Sequence, residues 1–133
     1  MTDGPGLAAL LVDDLGVLSG TRGASLAPVV RRIRAAGLRV AVLSNAEGPP
    51  REGLVGLADT VVLSGQVGLR KPDPAIYLLA AARLGVAPGR CVVVDDLARN
   101  VRGAVDAGMT GVLHRTHDDT LAELEALFGL SLR

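Results

Sequence analysis

The sequence has almost no aromatic residues: they make up 2% of the chain, with one Tyr, one Phe and no Trp. Proteins that bind single-stranded nucleic acid stack bases on such rings, so the composition argues against that function. Because 49% of the residues are hydrophobic, the core must consist of Val, Leu, Ile and Ala. An aliphatic core is typical of a parallel sheet that helices cover on both faces.

An excess of charge is also lacking, since 14 basic residues balance 14 acidic ones. There is no basic stripe of the kind that marks a nucleic-acid partner, so we expect none. No apolar run approaches the ~20 residues that a membrane span requires, so no membrane partner is expected. The first residues, MTDGPG, do not resemble a signal peptide. Together these features predict a cytoplasmic protein.

Cysteine and lysine each occur once. Cys91 cannot form an internal disulfide, and its apolar neighbours predict a small buried core residue. Lys71 is the only lysine beside thirteen arginines. Against that background, its retention calls for a specific explanation.

Short apolar runs alternate with segments of helical periodicity, and the length of 133 residues fits a single domain spanning 1–133. Strands are predicted at 7–12, 38–43, 60–64, 91–94 and 111–114. Helices are predicted at 25–37, near 51–58, from Pro72 and Pro74 to about 84, after 96 to about 107, and at 119–128. Residues 19–24 are predicted to form a loop. The alternation predicts a doubly wound α/β fold, with a five-stranded parallel sheet between two layers of helices.

Polar side chains stand where the predicted strands end. Ligands of an open parallel sheet bind beyond the carboxyl ends of its strands, so we expect these residues to meet at one edge. Clustered carboxylates repel one another unless a cation is present, and oxygen ligands suit Mg²⁺. A carboxylate is also an established nucleophile in phosphoryl transfer. The candidate residues are Asp13, Asp14, Ser44, Asn45, Lys71, Asp95, Asp96 and Asn100.

Four segments resemble, in order, the four motifs of the haloacid dehalogenase-like hydrolase superfamily. They are VDDLGVL at 12–18, LSN at 43–45, RKPDPAIY at 70–77 and VVVDDLARNVRGAVDAGM at 92–109. The last two look most like the subfamily of haloacid dehalogenases, phosphoglycolate phosphatases and the phosphatase domain of soluble epoxide hydrolase. The resemblance implies a Rossmann-like core and a Mg²⁺-dependent phosphatase that works through an aspartyl-phosphate intermediate.

The resemblance assigns the metal ligands and the nucleophile by position. Asp13 would be the nucleophile and also a Mg²⁺ ligand. Asp96 would bind the metal directly and Asp95 through water. The backbone carbonyl of Leu15 would be a further ligand.

The substrate contacts follow in the same way. Ser44 would hydrogen-bond the transferring phosphoryl group, with Asn45 beside it. Lys71 would bridge Asp13 and the phosphate, because its flexible ammonium reaches where a planar guanidinium would not fit. Asn100 would orient the far side of the site.

The chain departs from the family at the position two residues after the nucleophile. Phosphatases of the family usually carry an Asp there, which protonates the leaving oxygen and then activates water. This chain has Leu15, and general acid–base catalysis is typically worth about 10²–10⁴-fold. Asp14 is not expected to replace it, because adjacent side chains on an extended segment point in opposite directions. Turnover should therefore be slow or restricted to good leaving groups.

A helical cap domain, which the resembled subfamily carries between its first two motifs, is also missing. Only residues 19–43 separate those motifs here, and one helix and one strand use nearly all of them. The site should therefore be open, to a bulky substrate or to a partner surface. A homo-oligomer in which a neighbouring subunit covers the site is expected.

Three functions remain open on this sequence. The leading one is a capless phosphohydrolase that acts on a small phosphorylated substrate or a phosphorylated macromolecule. The alternative is a binding or regulatory domain that keeps the metal and phosphate site without efficient turnover, and Leu15 is the feature that separates the two. A dehalogenase also lacks the second Asp, but it uses no Mg²⁺ and takes most substrate contacts from its cap, so the acids at 95–96 and the missing cap count against it.

Overall fold

The computed structural model describes residues 6–19 and 23–133, so part of the loop predicted at 19–24 lies outside the described residues. The five strands are β1 (Ala9–Val12), β2 (Arg39–Ser44), β3 (Thr60–Leu63), β4 (Cys91–Asp95) and β5 (Thr110–Leu113). The helices are α1 (Ala27–Ala35), α2 (Leu54–Leu57), α3 (Ser64–Val67), α4 (Pro74–Leu84), α5 (Ala98–Asp106) and α6 (His117–Phe128). A wide turn of π-helical type spans Asp14–Leu18, and a 3₁₀ turn spans Pro88–Arg90.

All strand pairs of the sheet are parallel, and their order is β3-β2-β1-β4-β5. This confirms the doubly wound fold predicted from the alternation of strands and helices. The chain adds strands on one side of β1 and then crosses to the other side, so the order reverses between β1 and β4. Ligands of open α/β sheets bind at such a reversal point.

The two faces of the sheet bury alternate residues of each strand. In β1, Leu10 and Val12 join one hydrophobic cluster, with residues of α1, α2 and α6. Ala9 and Leu11 join the other cluster, with residues of α4 and α5. Burial of each Val or Leu side chain contributes about 1.5–3 kcal/mol, so strands that are apolar on both sides are stable only between two helical layers.

The predicted aliphatic core is confirmed, and Cys91 is fully buried within it. Burial raises the pKa of the Cys91 thiol to about 11. The single Tyr, Tyr77, is also fully buried. None of the described helices is long and apolar enough to cross a membrane.

Several boundaries differ from the sequence prediction. The helix expected near 51–58 is reduced to α2, because Gly53 adopts a φ of 90° and Ala58 is extended. The turn at Asp14–Leu18, helix α3 and the 3₁₀ turn were not predicted, since elements of three to five residues carry no periodic signal. Among the described residues between β1 and β2 there is no cap domain, and α1 is the only α-helix.

Helix α5 packs directly against the loop that precedes α4. A Cβ atom added to Gly103 would lie 2.3 Å from the carbonyl oxygen of Pro72 and 2.8 Å from the Pro72 Cβ. Glycine is therefore required there by the close approach of two backbones. The contact fixes the segment that carries Lys71.

Candidate active site

The turn after β1 sends its two acidic side chains in different directions. The N–H of Asp13 donates to the Val94 carbonyl (3.0 Å), which fixes Asp13 beside the end of β4. Asp14 instead accepts hydrogen bonds from Arg51, with Nε 3.0 Å from Oδ1, and does not line the cavity that Asp13 lines. Its side chain is only 8% exposed. Asp14, a strand-end candidate, is therefore directed away from the cavity, and as expected it does not replace the acid missing at Leu15.

The ammonium group of Lys71 lies between two carboxylates. Its Nζ donates to Asp13 Oδ1 (2.8 Å), to Asp95 Oδ2 (2.8 Å) and to the carbonyl oxygen of Leu43 (2.9 Å). An ammonium has three N–H groups, so all of them are used. The sequence predicted the contact with Asp13, but the contacts with Asp95 and Leu43 were not predicted.

Asn45 holds the Lys71 loop through its backbone. Its Oδ1 accepts from the Lys71 N–H (2.8 Å), and its Nδ2 donates to the Lys71 carbonyl (3.2 Å). This places Asn45 in a positioning role that the sequence did not suggest, and leaves one amide N–H for a substrate. Ser44 is buried, and its Oγ accepts from the Ala46 N–H (3.2 Å), so its hydroxyl hydrogen is available to a ligand.

Asp95 lies beneath the cavity and is 1% exposed. Its Oδ1 accepts from the Leu97 N–H (3.0 Å), while its Oδ2 accepts from Lys71 and from Asn100 Nδ2 (3.2 Å). Both oxygens are therefore already used by the protein. A metal role for Asp95 through water stays a prediction.

Asn100 is anchored on both its side chain and its backbone. The backbone carbonyl of Asn100 accepts a 2.6 Å hydrogen bond from the Tyr77 hydroxyl. Because burial raises the pKa of Tyr77, the phenol stays a neutral donor. The amide orientation follows from the Nδ2 contact with Asp95. The Oδ1 atom of Asn100 is buried without a hydrogen-bond partner among the described residues. A buried acceptor of this kind points to a missing donor, such as an ordered water or a ligand.

Three carboxylates form the only group of potential metal ligands found in the described part of the chain. Oxygen atoms of Asp13, Asp95 and Asp96 lie within 4.8 Å of one another. Burial raises the pKa of Asp13 to about 7, Lys71 opposes this shift, and the neighbouring carboxylates add to it. Hard oxygen donors with excess negative charge fit a cation such as Mg²⁺.

A cavity of about 420 Å³ opens above these groups. Among the described residues it is lined by Asp13, Leu15, Gly16, Ser44, Asn45, Ala46, Lys71, Asp96, Leu97 and Asn100. Of the eight residues that the motif resemblance assigns to the site, seven line this cavity, and the eighth, Asp95, is buried and hydrogen-bonded to Lys71. Asp14, the remaining strand-end candidate, does not line it. The volume is in the range of small-molecule sites.

Three residues that shape the site were missed at the sequence level. Arg51 pairs with Asp14, but nothing distinguished it among thirteen arginines. Tyr77 stood at the end of the RKPDPAIY segment, and its being the only Tyr was the available signal. The packing role of Gly103 depends on tertiary contacts and has no local signature.

The cavity at the reversal point of the sheet combines an acidic cluster with a buried lysine, and comparison with known proteins identifies the family. The family model described as haloacid dehalogenase-like hydrolase matches residues 4–108. The chain therefore belongs to the haloacid dehalogenase-like hydrolase family, as its motifs implied.

One solved structure and one curated protein match most of this chain. An uncharacterized protein from Corynebacterium glutamicum is 35% identical, with a TM-score of 0.85, and the match covers 94% of this chain and 97% of that one. A phosphatase of Mycobacterium tuberculosis, MT3486, is 35% identical over 111 residues, which is 75% of this chain and 51% of the phosphatase. The chain spans about half or less of the length of the curated relatives it matches.

A Bacteroides thetaiotaomicron enzyme of the same superfamily was solved as an Asp-to-Ala mutant in complex with magnesium and inorganic phosphate. It is 13% identical, with a TM-score of 0.64, and the match covers 84% of this chain and 96% of that one. At this identity the likeness concerns the fold.

Proposed function

We propose that this chain is a Mg²⁺-dependent phosphatase that acts through an aspartyl-phosphate on Asp13. One observation carries the proposal: Asp13, at the end of β1, shares a cavity with Ser44, Lys71 and a second acidic segment. The phosphatase activity of the M. tuberculosis relative supports the reaction class. The magnesium and phosphate bound by the Bacteroides enzyme support the ligands.

The residues that would hold Mg²⁺ are Asp13, Asp96 and the backbone carbonyl of Leu15, with Asp95 acting through water. Bound there, the ion would neutralise the acidic cluster and polarise the phosphoryl oxygens. The unpartnered Oδ1 of Asn100 would accept a hydrogen bond from a water of this hydrated site.

The reaction has two displacements on phosphorus. In the first, an Asp13 carboxylate oxygen forms a bond to phosphorus, and the ester P–O bond breaks with its electron pair leaving on the departing oxygen. In the second, a water oxygen bonds to phosphorus, the bond to Asp13 breaks, and inorganic phosphate leaves. The departing oxygen takes a proton from solvent, and the attacking water loses one to solvent.

Ser44 and Lys71 serve the transferred group in different ways. The Ser44 hydroxyl has its hydrogen available and would donate it to a phosphoryl oxygen. All three Lys71 N–H groups are engaged. Lys71 therefore contributes mainly its charge, which opposes the rise in the Asp13 pKa caused by burial and so favours the ionised nucleophile. It reaches phosphate only by exchanging one of these bonds.

Leu15 limits the rate in this mechanism. It lies where a proton donor would stand and is 61% exposed, while Asp14 is held by Arg51. Among the described residues that line the cavity, no side chain outside the proposed metal and phosphate site can protonate the departing oxygen, so turnover depends on leaving-group stability. The same observation favours the alternative function, a binding or regulatory domain that holds metal and phosphate with little turnover.

The test is a hydrolysis screen with and without Mg²⁺ on aryl, acyl and sugar phosphates, using wild type and Asp13→Asn. We expect wild type to release phosphate only when Mg²⁺ is present, and we expect Asp13→Asn to abolish this release.

Calorimetric titration of Mg²⁺ tests the metal site. Wild type should bind the ion, Asp96→Ala should lose binding, and Asp106→Ala, which alters an exposed acid on α5, should bind as wild type does. Equal affinity in Asp96→Ala would reject the metal assignment. Phosphate binding without any turnover would favour the regulatory alternative.

A further inference from the structure

The cavity has a polar floor and an apolar mouth. Leu15 and Leu97 both line it, and they are 61% and 39% exposed. They are two of the five large hydrophobic side chains that are exposed among the described residues. Ala46, which is also exposed, lines the same mouth. None of these side chains can contact a phosphoryl group favourably.

The two leucines stand on adjoining turns. Leu15 follows β1 and Leu97 follows β4, and these strands are paired neighbours about 4.8 Å apart. Gly16 and Asp96, the residues next to them, are in close contact, since a Cβ on Gly16 would lie 2.3 Å from Asp96 Oδ2. Both leucines line the cavity that holds the acidic cluster, so the group attached to phosphate would pass beside them.

Leu15 also determines which groups can depart. Without a proton donor the leaving oxygen departs as an anion. A phenol has a pKa of about 10, whereas that of water is about 15.7 and alkyl alcohols are similarly weak acids. A phenolate is thus a far better leaving group here than an alkoxide.

We propose that the site selects aryl phosphate monoesters, whose aromatic ring packs on Leu15 and Leu97. This inference rests on the proposed phosphatase function and adds its substrate class. In the first displacement the Asp13 oxygen–phosphorus bond forms, the bond from phosphorus to the phenolic oxygen breaks, and the phenolate leaves with the electron pair and takes a proton from solvent. Free aryl phosphates and phosphotyrosyl side chains share this chemistry, and the open mouth admits either.

Binding of stable analogues tests the apolar contact separately from turnover. Calorimetry with saturating Mg²⁺ would compare inorganic phosphate, methylphosphonate and phenylphosphonate. We expect phenylphosphonate to bind at least about tenfold more tightly than methylphosphonate, a difference of about 1.4 kcal/mol. Leu97→Ala should reduce this ratio to about threefold or less. Leu78→Ala is the matched control, because Leu78 on α4 is 43% exposed and lies outside the cavity, and it should leave the ratio unchanged.

Two failures are distinguishable. If phosphate binds but phenylphosphonate is no tighter than methylphosphonate, or if Leu97→Ala keeps the wild-type ratio, the aryl class is rejected and the phosphatase proposal stands. If phosphate does not bind in the presence of Mg²⁺, the proposed function fails, and this inference fails with it.

Hydrolysis assays then separate the sources of the aryl group. If phenyl phosphate and a phosphotyrosyl peptide are cleaved with similar kcat/KM, the site recognises the ring alone. If the peptide is cleaved with a higher kcat/KM, the substrate is a macromolecule. Both results support the aryl class. Preference for a phosphoseryl peptide over both would overturn it.

Discussion

Substitution of Gly103 by Ala, at a position that does not line the cavity, should displace Lys71. The new Cβ would lie 2.3 Å from the Pro72 carbonyl oxygen, whereas ordinary heavy-atom contacts begin near about 3.5 Å. Helix α5 and the Lys71–Pro72 segment must therefore separate by about 1 Å. Overpacking of this kind costs about 1–3 kcal/mol, and the better helix propensity of Ala returns up to about 1 kcal/mol. We expect a net loss of about 1–2 kcal/mol.

The displacement should reduce activity beyond its effect on stability, because a 1 Å misplacement of a reacting group can cost about 10²-fold in rate. Denaturant unfolding would give the free energy, and kcat for an aryl phosphate would be measured well below the melting temperature. Gly56→Ala is the control, since Gly56 on α2 has no atom within 4 Å of an added Cβ, and it should be neutral or stabilise by up to about 1 kcal/mol. If the two variants behave alike, Gly103 does not position Lys71.

Three further predictions concern charge, catalysis and assembly. Burial raises the pKa of Asp13 from 3.8 to about 7, so the protonated carboxyl stabilises the metal-free protein fully below about pH 4, and this contribution is lost progressively as the pH rises from about 4 to about 7. Denaturation at pH 5 and pH 8 should show a loss of about 3 kcal/mol in wild type, at about 1.4 kcal/mol per pH unit up to pH 7, and a flatter profile in Asp13→Asn. Parallel profiles would contradict the assignment. Leu15→Asp should accelerate hydrolysis of alkyl phosphates more than that of aryl phosphates, and unchanged rates in a folded variant would show that proton transfer is not limiting. Light scattering at micromolar concentration should give a mass above the 13.6 kDa of one chain, and a monomeric mass would reject the oligomer.

The sequence predicted the sheet and the residues at its carboxyl edge because both depend on local signals. Apolar runs ended by polar residues located Asp13, Ser44 and Asp95, and the parallel arrangement brought them together. The pairing of Arg51 with Asp14 joins residues 37 positions apart, and no spacing rule predicts such a contact. The double hydrogen bond of Asn45 to the Lys71 backbone likewise depends on how two loops meet in space.

The contacts of Lys71 reach residues at the ends of three adjacent strands: Asp13 follows β1, Leu43 belongs to β2 and Asp95 ends β4. Removing one partner from such a buried ion pair typically costs about 3–5 kcal/mol. Selection for folding alone would therefore preserve this lysine, even in a descendant that had lost catalysis. Its presence in a related sequence consequently reports an intact scaffold, and an enzymatic role must be inferred from positions that are free to vary without unfolding the protein, such as Leu15.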